Sequence, residues 1–398
     1  MTRFTIASFN VKNLIGPDQE YYTFQSYTPE EYAWKEDWTA SQIFSMDADI
    51  IGFQEIFDEA TLREVIAEAD HIGEESNKAV IPDKSKRYHR KAIFRKLGYT
   101  PYGADGLFVA SNINDTGKPG HRRPGVAILS RFGFVGTPEI IQDLPEPLDI
   151  PFRDLTGEDG GHYRLTRLSR PILKARIPVT DNTTITIFNC HLKSKLGEFP
   201  RGEDGTAPEA DLTNYDPVGR AMGAMRAALR RMAEAWVLRR SIVEELEAGH
   251  PVMVMGDFND GEHAVSSEII SGEVPFRNYS WMLRHDAKHG ADRYSREDND
   301  RIQSAVNKVR LTSAESLFVK KSMRDMVYTT AFGGVYESID QIYLSQHFHP
   351  DNAQAAGEME YFSVFNDHLT DGSHAEAPYN KLASDHGQIM AHIRLKDD

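Results

Sequence analysis

Val252-Met253-Val254-Met255-Gly256-Asp257-Phe258-Asn259 is an apolar run that ends abruptly in an acid and an amide. Its short length and lack of helical spacing read as a buried strand. A long segment at residues 219–248 precedes it, with Ala, Met and Leu at helical spacing and Arg on the other side. Gly249 closes that helix just before the strand begins. Helix followed by buried strand is the local signature of an α/β protein. The same ending recurs elsewhere. Residues 4–9 run into Asn10, residues 49–54 into Glu55, and residues 185–190 into His191. Near the C-terminus Ser384-Asp385-His386 stands directly before a strand at 387–393. Strand ends in α/β sheets converge on one crevice, where such folds place ligands.

Outward from these segments the chain keeps alternating. Residues 125–130 and 339–344 read as further buried strands, 163–179 as one or two longer strands interrupted by Pro171, and 29–46 as a helix. Residues 15–28, 112–123, 144–161, 196–217 and 287–300 are rich in Gly, Pro, Asp and Asn and read as surface insertions. Insertions of this kind shape binding sites. None has the character of a linker, so the expectation is a single domain over residues 1–398.

Composition excludes several classes. Of 398 residues, 40% are hydrophobic and 26% charged, and no apolar run is long enough to span a bilayer. The first residues enter a strand pattern at once, with no apolar leader, and Cys190 is the sole cysteine, so no internal disulfide forms. A cytoplasmic protein is the expectation. The formal charge of −15 argues against a passive, tight nucleic-acid binder, whose affinity would come from basic residues displacing counterions. It leaves room for an enzyme that borrows positive charge from a bound metal.

The residue types at the strand ends suit phosphoester hydrolysis. Hard cations such as Mg²⁺ take oxygen ligands, and Glu55, Asp257, Asp385, Asn10 and Asn259 supply them. A carboxylate such as Asp257 can take a proton from water, while His191 and His386 can hydrogen-bond a phosphate as charge develops. Asp340, in Ser338-Ile339-Asp340-Gln341-Ile342, is a candidate for holding a histidine charged and oriented. Each residue alone has a plainer reading: Asn10 as a turn former, Glu55 as an exposed loop acid, His191 as a buried core histidine. Such readings give no reason for five strands to end alike.

In order along the chain, Ser8-Phe9-Asn10-Val11, Gln54-Glu55, Asn189-Cys190-His191-Leu192, Gly256-Asp257-Phe258-Asn259 and Ser384-Asp385-His386 resemble the motifs of the endonuclease/exonuclease/phosphatase superfamily. The resemblance implies the DNase I-like fold, a four-layer α/β/β/α sandwich, here with large loop insertions. It implies a divalent-metal-dependent hydrolase using Mg²⁺ or Mn²⁺, with Asn10, Glu55 and Asp385 at the principal metal. Asp257 would activate water, Asn259 would orient the phosphate, His191 and His386 would contact it, and Asp340 would pair with His386. Where some relatives place an acid two residues after the first Asn, this chain has Lys12, which as a cation cannot ligate a metal and points to one firm metal site. His191-Leu192-Lys193-Ser194-Lys195 further resembles bacterial nuclease-like members.

Lys12, Lys193, Lys195 and Arg131 are candidate phosphate-binding cations. Residues 84–96, Lys-Ser-Lys-Arg-Tyr-His-Arg-Lys-Ala-Ile-Phe-Arg-Lys, mix cations with aromatic rings and contain no acid, which reads either as a nucleic-acid track or as a solvated basic face. A nuclease acting on DNA or RNA and a phosphatase or phosphodiesterase acting on a small or lipid-borne phosphoester therefore both stand. A non-catalytic binding protein is disfavoured because the ligand and catalytic residue types are all present. His347, His349, His368 and His374 are expected to be exposed, and no Gly-x-Ser-x-Gly or phosphate-binding glycine loop occurs.

Overall fold

The computed structural model describes residues 2–22, 25–78, 98–118, 120–153, 159–201, 206–272, 285–286, 291–292, 295–322, 327–370 and 382–396. The basic segment 84–96 and His374 lie outside them.

Two six-stranded sheets form the centre. The first contains β1 (Arg3–Leu14), β2 (Ile50–Ile56), β3 (Leu107–Ala110), β4 (Gly125–Ser130), β15 (Gly357–Phe365) and β16 (Gln388–Leu395), in the spatial order β15-β16-β1-β2-β4-β3. The second contains β5 (Glu139–Arg153), β6 (Asp159–Pro178), β7 (Thr184–His191), β8 (Val252–Asp257), β11 (Leu311–Ser313) and β14 (Asp340–Ser345), in the order β11-β14-β8-β7-β6-β5. Two small ribbons accompany them, β9 with β10 (His285–Asp286, Ala291–Asp292) and β12 with β13 (Thr330–Phe332, Val335–Glu337).

Alternation along each strand builds the layers, because successive side chains point to opposite faces. Phe4 and Ile6 of β1, Ile185 and Ile187 of β7, and Met253 and Met255 of β8 meet in one core between the sheets. Their neighbours Ala7, Phe9 and Val11, with Ile51 and Phe53 of β2, face outward against α1 (Pro29–Met46) and α2 (Glu59–Lys78). Phe188 and Cys190, with Val252 and Val254, face the opposite way onto α3 (Pro217–Glu247). Helix, sheet, sheet, helix is the four-layer order that the resemblance implied. Shorter helices α4 (Val265–Ser271), α5 (Arg296–Val309) and α6 (Ala314–Ser322) close the side near β11 and β14.

The pairing directions fix which end of the sandwich carries the polar residues. β1 and β2 are parallel, as are β7 and β8, so Asn10, Glu55, His191 and Asp257 emerge together. β14 runs antiparallel to β8 and pairs Asp340 with Asp257. Just beneath, a buried polar rung ties the sheets: Ser8 Oγ donates to Gln54 Oε1 (3.3 Å), Gln54 Nε2 to Asn189 Oδ1 (2.7 Å), and Asn189 Nδ2 to the carbonyls of Phe53 and Ala127. Gly52 makes that contact possible, since a Cβ there would stand 2.6 Å from Met255 Cε and 2.9 Å from Asn189.

One expectation changes. Residues 144–161, read as an insertion, largely belong to the β5–β6 hairpin, which pairs from Glu139–Lys174 out to Arg153–Asp159 with register shifts. Its prolines and acids had suggested a loop, but its outer part is an edge ribbon that tolerates them. Pro171 falls in one of the irregular stretches, between the pairs Asp143–Arg167 and Ile141–Ile172.

Candidate active site

Strand alternation alone delivers most of the site. Asn10 continues the inward face of Phe4 and Ile6, His191 that of Ile187, Asp257 that of Met255, and Asp340 that of Ile342. Glu55 is the exception, since period two would turn it outward with Ile51 and Phe53. It instead adopts a left-handed φ of 64°, at the register shift between Gln54 and Ile56. Such a conformation is uncommon for a residue with a Cβ and marks functional sites. Lys12 (φ 53°), Asn13 (φ 56°) and Asn259 (φ 53°) share it, so the unusual backbone clusters around the same mouth. Asn13 N–H holds Glu55 Oε2 at 2.9 Å.

The side chains converge. Asn10 Nδ2 lies 3.0 Å from Asp257 Oδ2, 3.4 Å from Glu55 Oε1 and 3.4 Å from His386 Nε2. His191 Nε2 stands 3.3 Å from Asp257 Oδ2 and 4.0 Å from Glu55 Oε1. His386 faces Asp257 through Nε2 (3.7 Å) and bonds Asp340 Oδ2 through Nδ1 (2.8 Å). Asn259 donates its backbone N–H to Asp257 Oδ1 (2.8 Å), and its Nδ2 reaches Leu192 O (2.9 Å) and Asp257 Oδ2 (3.3 Å). The carboxylate of Asp257 is thus held on both oxygens. In this arrangement Asn259 orients Asp257.

The electrostatics separate the two histidines. Burial pushes His191 well below the usual imidazole range, and the Arg170, His386 and Lys193 charges push the same way, so it is neutral. Burial would do the same to His386, but the Asp340 and Asp257 carboxylates outweigh it and hold His386 well above that range. Asp257 is pushed up to about 7, chiefly by burial, with Asp340 and Glu55 adding to it against the pull of His386. A buried carboxyl crowded by acids is a site short of positive charge.

That shortage, together with hard oxygen donors, fits a divalent cation at Glu55 and Asp257. Asp257, Asp340 and His386 also bring ligand atoms within 4.8 Å of one another. His386 is a poor ligand in that trio, because a protonated imidazole offers no lone pair. Asn10 turns its Oδ1 away, accepting from Lys12 N–H at 3.0 Å, and presents Nδ2 to the carboxylates. Asp385 sits at the rim with its side chain 52% exposed, 3.8 Å from Lys12 Nζ.

The other expected cations diverge. Lys193 Nζ folds back on its own loop, to Ser194 and to Leu196 O (3.0 Å), and burial lowers its pKa. Lys195 pairs with Glu337 at 3.1 Å. Arg131 is a correction. β4 runs antiparallel to β2, so the residue after Ser130 lies beside Ile50, at the far end of the sheet from Glu55. There its side chain, 6% exposed, bonds Asp47 (2.6 Å) and packs over the rings of Tyr99 and Tyr102. His347, His349 and His368 are half-buried rather than exposed, and His368 Nε2 bonds the carbonyl of His386 (3.0 Å).

Several residues around the site had no sequence signal. Arg170 falls level with Leu192, one residue past His191, because β6 is antiparallel to β7 with Leu173 opposite Asn189; it donates to Leu192 O at 3.3 Å. Only that register identifies it. Ser384 Oγ donates to Asn10 O (2.7 Å) and accepts from His386 N–H (3.0 Å). Thr329 Oγ1 accepts from the backbone N–H groups of Ile339 and Asp340. Fully buried Lys35 on α1 donates to Val11 O (2.9 Å) and Leu382 O (3.1 Å). These contacts fasten the segment carrying His386 to the end of β1.

The model of the endonuclease/exonuclease/phosphatase family matches residues 7–386. Among solved structures the chain is similar to an endonuclease/exonuclease/phosphatase family protein of Bacteroides thetaiotaomicron, with 13% identity, 98% of this chain and 97% of that chain covered, and a TM-score of 0.44. It is similar to a mannosyl-6-phosphatase of the same organism (13% identity, 98% and 100% covered, TM-score 0.44). TDP2 of Caenorhabditis elegans is a further match (12% identity, 98% and 74% covered, TM-score 0.40). No curated protein matches the chain.

Proposed function

The chain belongs to the endonuclease/exonuclease/phosphatase family, whose members are phosphoesterases, and from that premise we propose that it is a divalent-metal-dependent phosphodiesterase cleaving nucleic-acid phosphodiester bonds. The observation that carries the reading is Asp257, buried, gripped on both oxygens, and adjoined by Asn10, His191 and His386. Asp257 accepts the proton of the attacking water as the water oxygen bonds to phosphorus and the bond to the leaving oxygen breaks. Positive His386, braced by Asp340, and neutral His191 face the charge that develops on the phosphoryl oxygens. Glu55 and Asp257 would hold Mg²⁺ or Mn²⁺, Asn10 would join them through Oδ1 with its amide turned over, and Asp385 would complete that site. Bound there, the cation would supply charge against the phosphoryl and leaving oxygens. Arg170 adds a guanidinium on the His191 side.

A phosphatase or phosphodiesterase for a small phosphoester is the second reading, favoured by the −15 net charge. Supercoiled plasmid, single-stranded RNA and a panel of small phosphoesters, each with Mg²⁺, Mn²⁺ or EDTA, separate the two. Metal-dependent nicking of plasmid or cleavage of RNA supports the first. Turnover of small esters alone supports the second.

A further inference from the structure

Two of the insertions lie at the Glu55 end of the sandwich. In the first, the described residues 15–22 and 25–28 form a compact aromatic lobe. Tyr21 and Tyr27 stack at 5.3 Å, Ile15, Tyr21, Tyr27 and Tyr32 are buried together, and a tight turn pairs Tyr21 N with Gln25 O and Gln25 N with Tyr22 O. Tyr22 stands on the outside of this lobe, 36% exposed. Its ring rests edge-on against Tyr21 (5.5 Å) and Phe57 (6.0 Å), and Phe57 comes two residues after Glu55, its N–H held by Leu14 O. Tyr22 is therefore fixed to the strand end that carries Glu55.

The second insertion, residues 112–123, joins β3 to β4. β3 leaves its sheet opposite Val126, and β4 enters at Gly125, which pairs with Ile56, so this loop also sits at the Glu55 end. Arg123 closes it, and among the described residues its guanidinium donates to the carbonyls of Gly120 and Arg122. Arg170 has the carbonyl of Leu192. Among the described residues neither arginine has a carboxylate partner in an ion pair. Burial raises the pKa of the Tyr22 hydroxyl, the Glu55 charge adds to the rise and the Arg170 and Arg123 charges oppose it, so all three lie within electrostatic reach.

A half-exposed aromatic ring at the Glu55 end, within electrostatic reach of two guanidiniums that have no carboxylate ion-pair partner among the described residues, is suited to a planar ring next to an anion. We propose that Tyr22, with Arg123, forms a subsite for the nucleobase next to the scissile phosphate, which makes Tyr22 a specificity-determining residue. The subsite rests on the phosphodiesterase reading, and it narrows the substrate to nucleotide esters over esters of open-chain or sugar alcohols.

Calorimetric binding of adenosine 5′-monophosphate and ribose 5-phosphate, with Ca²⁺ in place of Mg²⁺, isolates the ring, since the two ligands share the phosphate and sugar. Wild type should prefer the adenosine ligand by about tenfold, Tyr22→Ala should erase that preference, and Tyr22→Phe should keep it. Equal affinity for the two ligands in wild type, or a preference that survives Tyr22→Ala, overturns the subsite. Turnover is assayed in parallel with two esters of one leaving group, thymidine 5′-(4-nitrophenyl phosphate) and methyl 4-nitrophenyl phosphate. Tyr22→Ala should lower kcat/KM for the first by about tenfold and leave the second unchanged. Equal loss on both assigns Tyr22 to the general architecture and contradicts the inference. A ring preference lost in Tyr22→Ala, in an enzyme that hydrolyses neither ester, would keep the subsite and refute the phosphodiesterase reading.

Discussion

Asp340 and His386 behave in this geometry as one unit. The 2.8 Å contact is what keeps a buried imidazole charged, so removing either residue removes the positive charge that faces Asp257. His386→Ala and Asp340→Ala should each lower kcat by about 10²-fold or more, and the double variant should lose little beyond the worse single one. Steady-state kinetics of the three variants checks this, and fully additive losses would mean the pairing does not serve catalysis. At this level the sequence was informative wherever strand alternation carries the side chain. Asn10, His191, Asp257 and Asp340 all follow from period two. Glu55 was found by its neighbours in sequence, but the left-handed turn that points it inward was not legible. Arg131 misled for the complementary reason. A cation closing a buried strand looks the same at either end of the sheet until the direction of β4 is known.

Between elements, short polar contacts decide whether the strand ends stay together. Ser384 links the carbonyl of Asn10 to the N–H of His386. Ser384→Ala should destabilise the fold by only ~1 kcal/mol, yet lower kcat more than it raises KM, because it loosens His386 rather than a substrate contact. Thermal melting beside kinetics separates the two effects. At the opposite end of the sandwich, Glu245 takes Lys174 (2.8 Å), His250 (2.8 Å) and Thr186 (2.9 Å). Burial would raise its pKa, but those partners outweigh burial and bring it from 4.5 down to about 2. A depressed carboxyl stabilises the fold above its unfolded pKa and loses that contribution as pH falls through the folded one. Glu245→Gln should therefore cost ~1–2 kcal/mol at neutral pH, with the deficit shrinking between pH 4.5 and about 2. A deficit independent of pH would contradict the assignment. The central strands and α1 were readable because each is a continuous buried run or a helix with clear ends. Edge elements were not. β15, Gly-Glu-Met-Glu-Tyr-Phe-Ser-Val-Phe, carries Glu358 and Glu360, which resemble loop residues until Arg394 of β16 and Arg3 of β1 are seen to pair with them.

For the molecule as a whole, a charge of −15 and an acid-rich mouth support the proposed reading, in which the working form includes cations. Among the described residues, no helix is long and apolar enough to cross a membrane. The four-layer architecture was legible through the family resemblance that the five motifs carry, and parallel pairing of β1 with β2 and of β7 with β8 is what brings those motifs to one end. Which insertions border the mouth was not readable, since that depends on sheet order and strand direction rather than on composition.

In the proposed reading the strand ends form one metal-assisted phosphoester hydrolase, in which Asp257 serves the water and Glu55 serves the cation. Initial rates on thymidine 5′-(4-nitrophenyl phosphate) across a Mn²⁺ titration, for wild type, Glu55→Gln and Asp257→Asn, test it most directly. Expected are no turnover in EDTA, a Glu55→Gln curve displaced to higher Mn²⁺, and an Asp257→Asn rate lower by about 10³-fold at saturating Mn²⁺ in a protein that melts as wild type does. Turnover that persists in EDTA, or an Asp257→Asn rate near that of wild type, would contradict it.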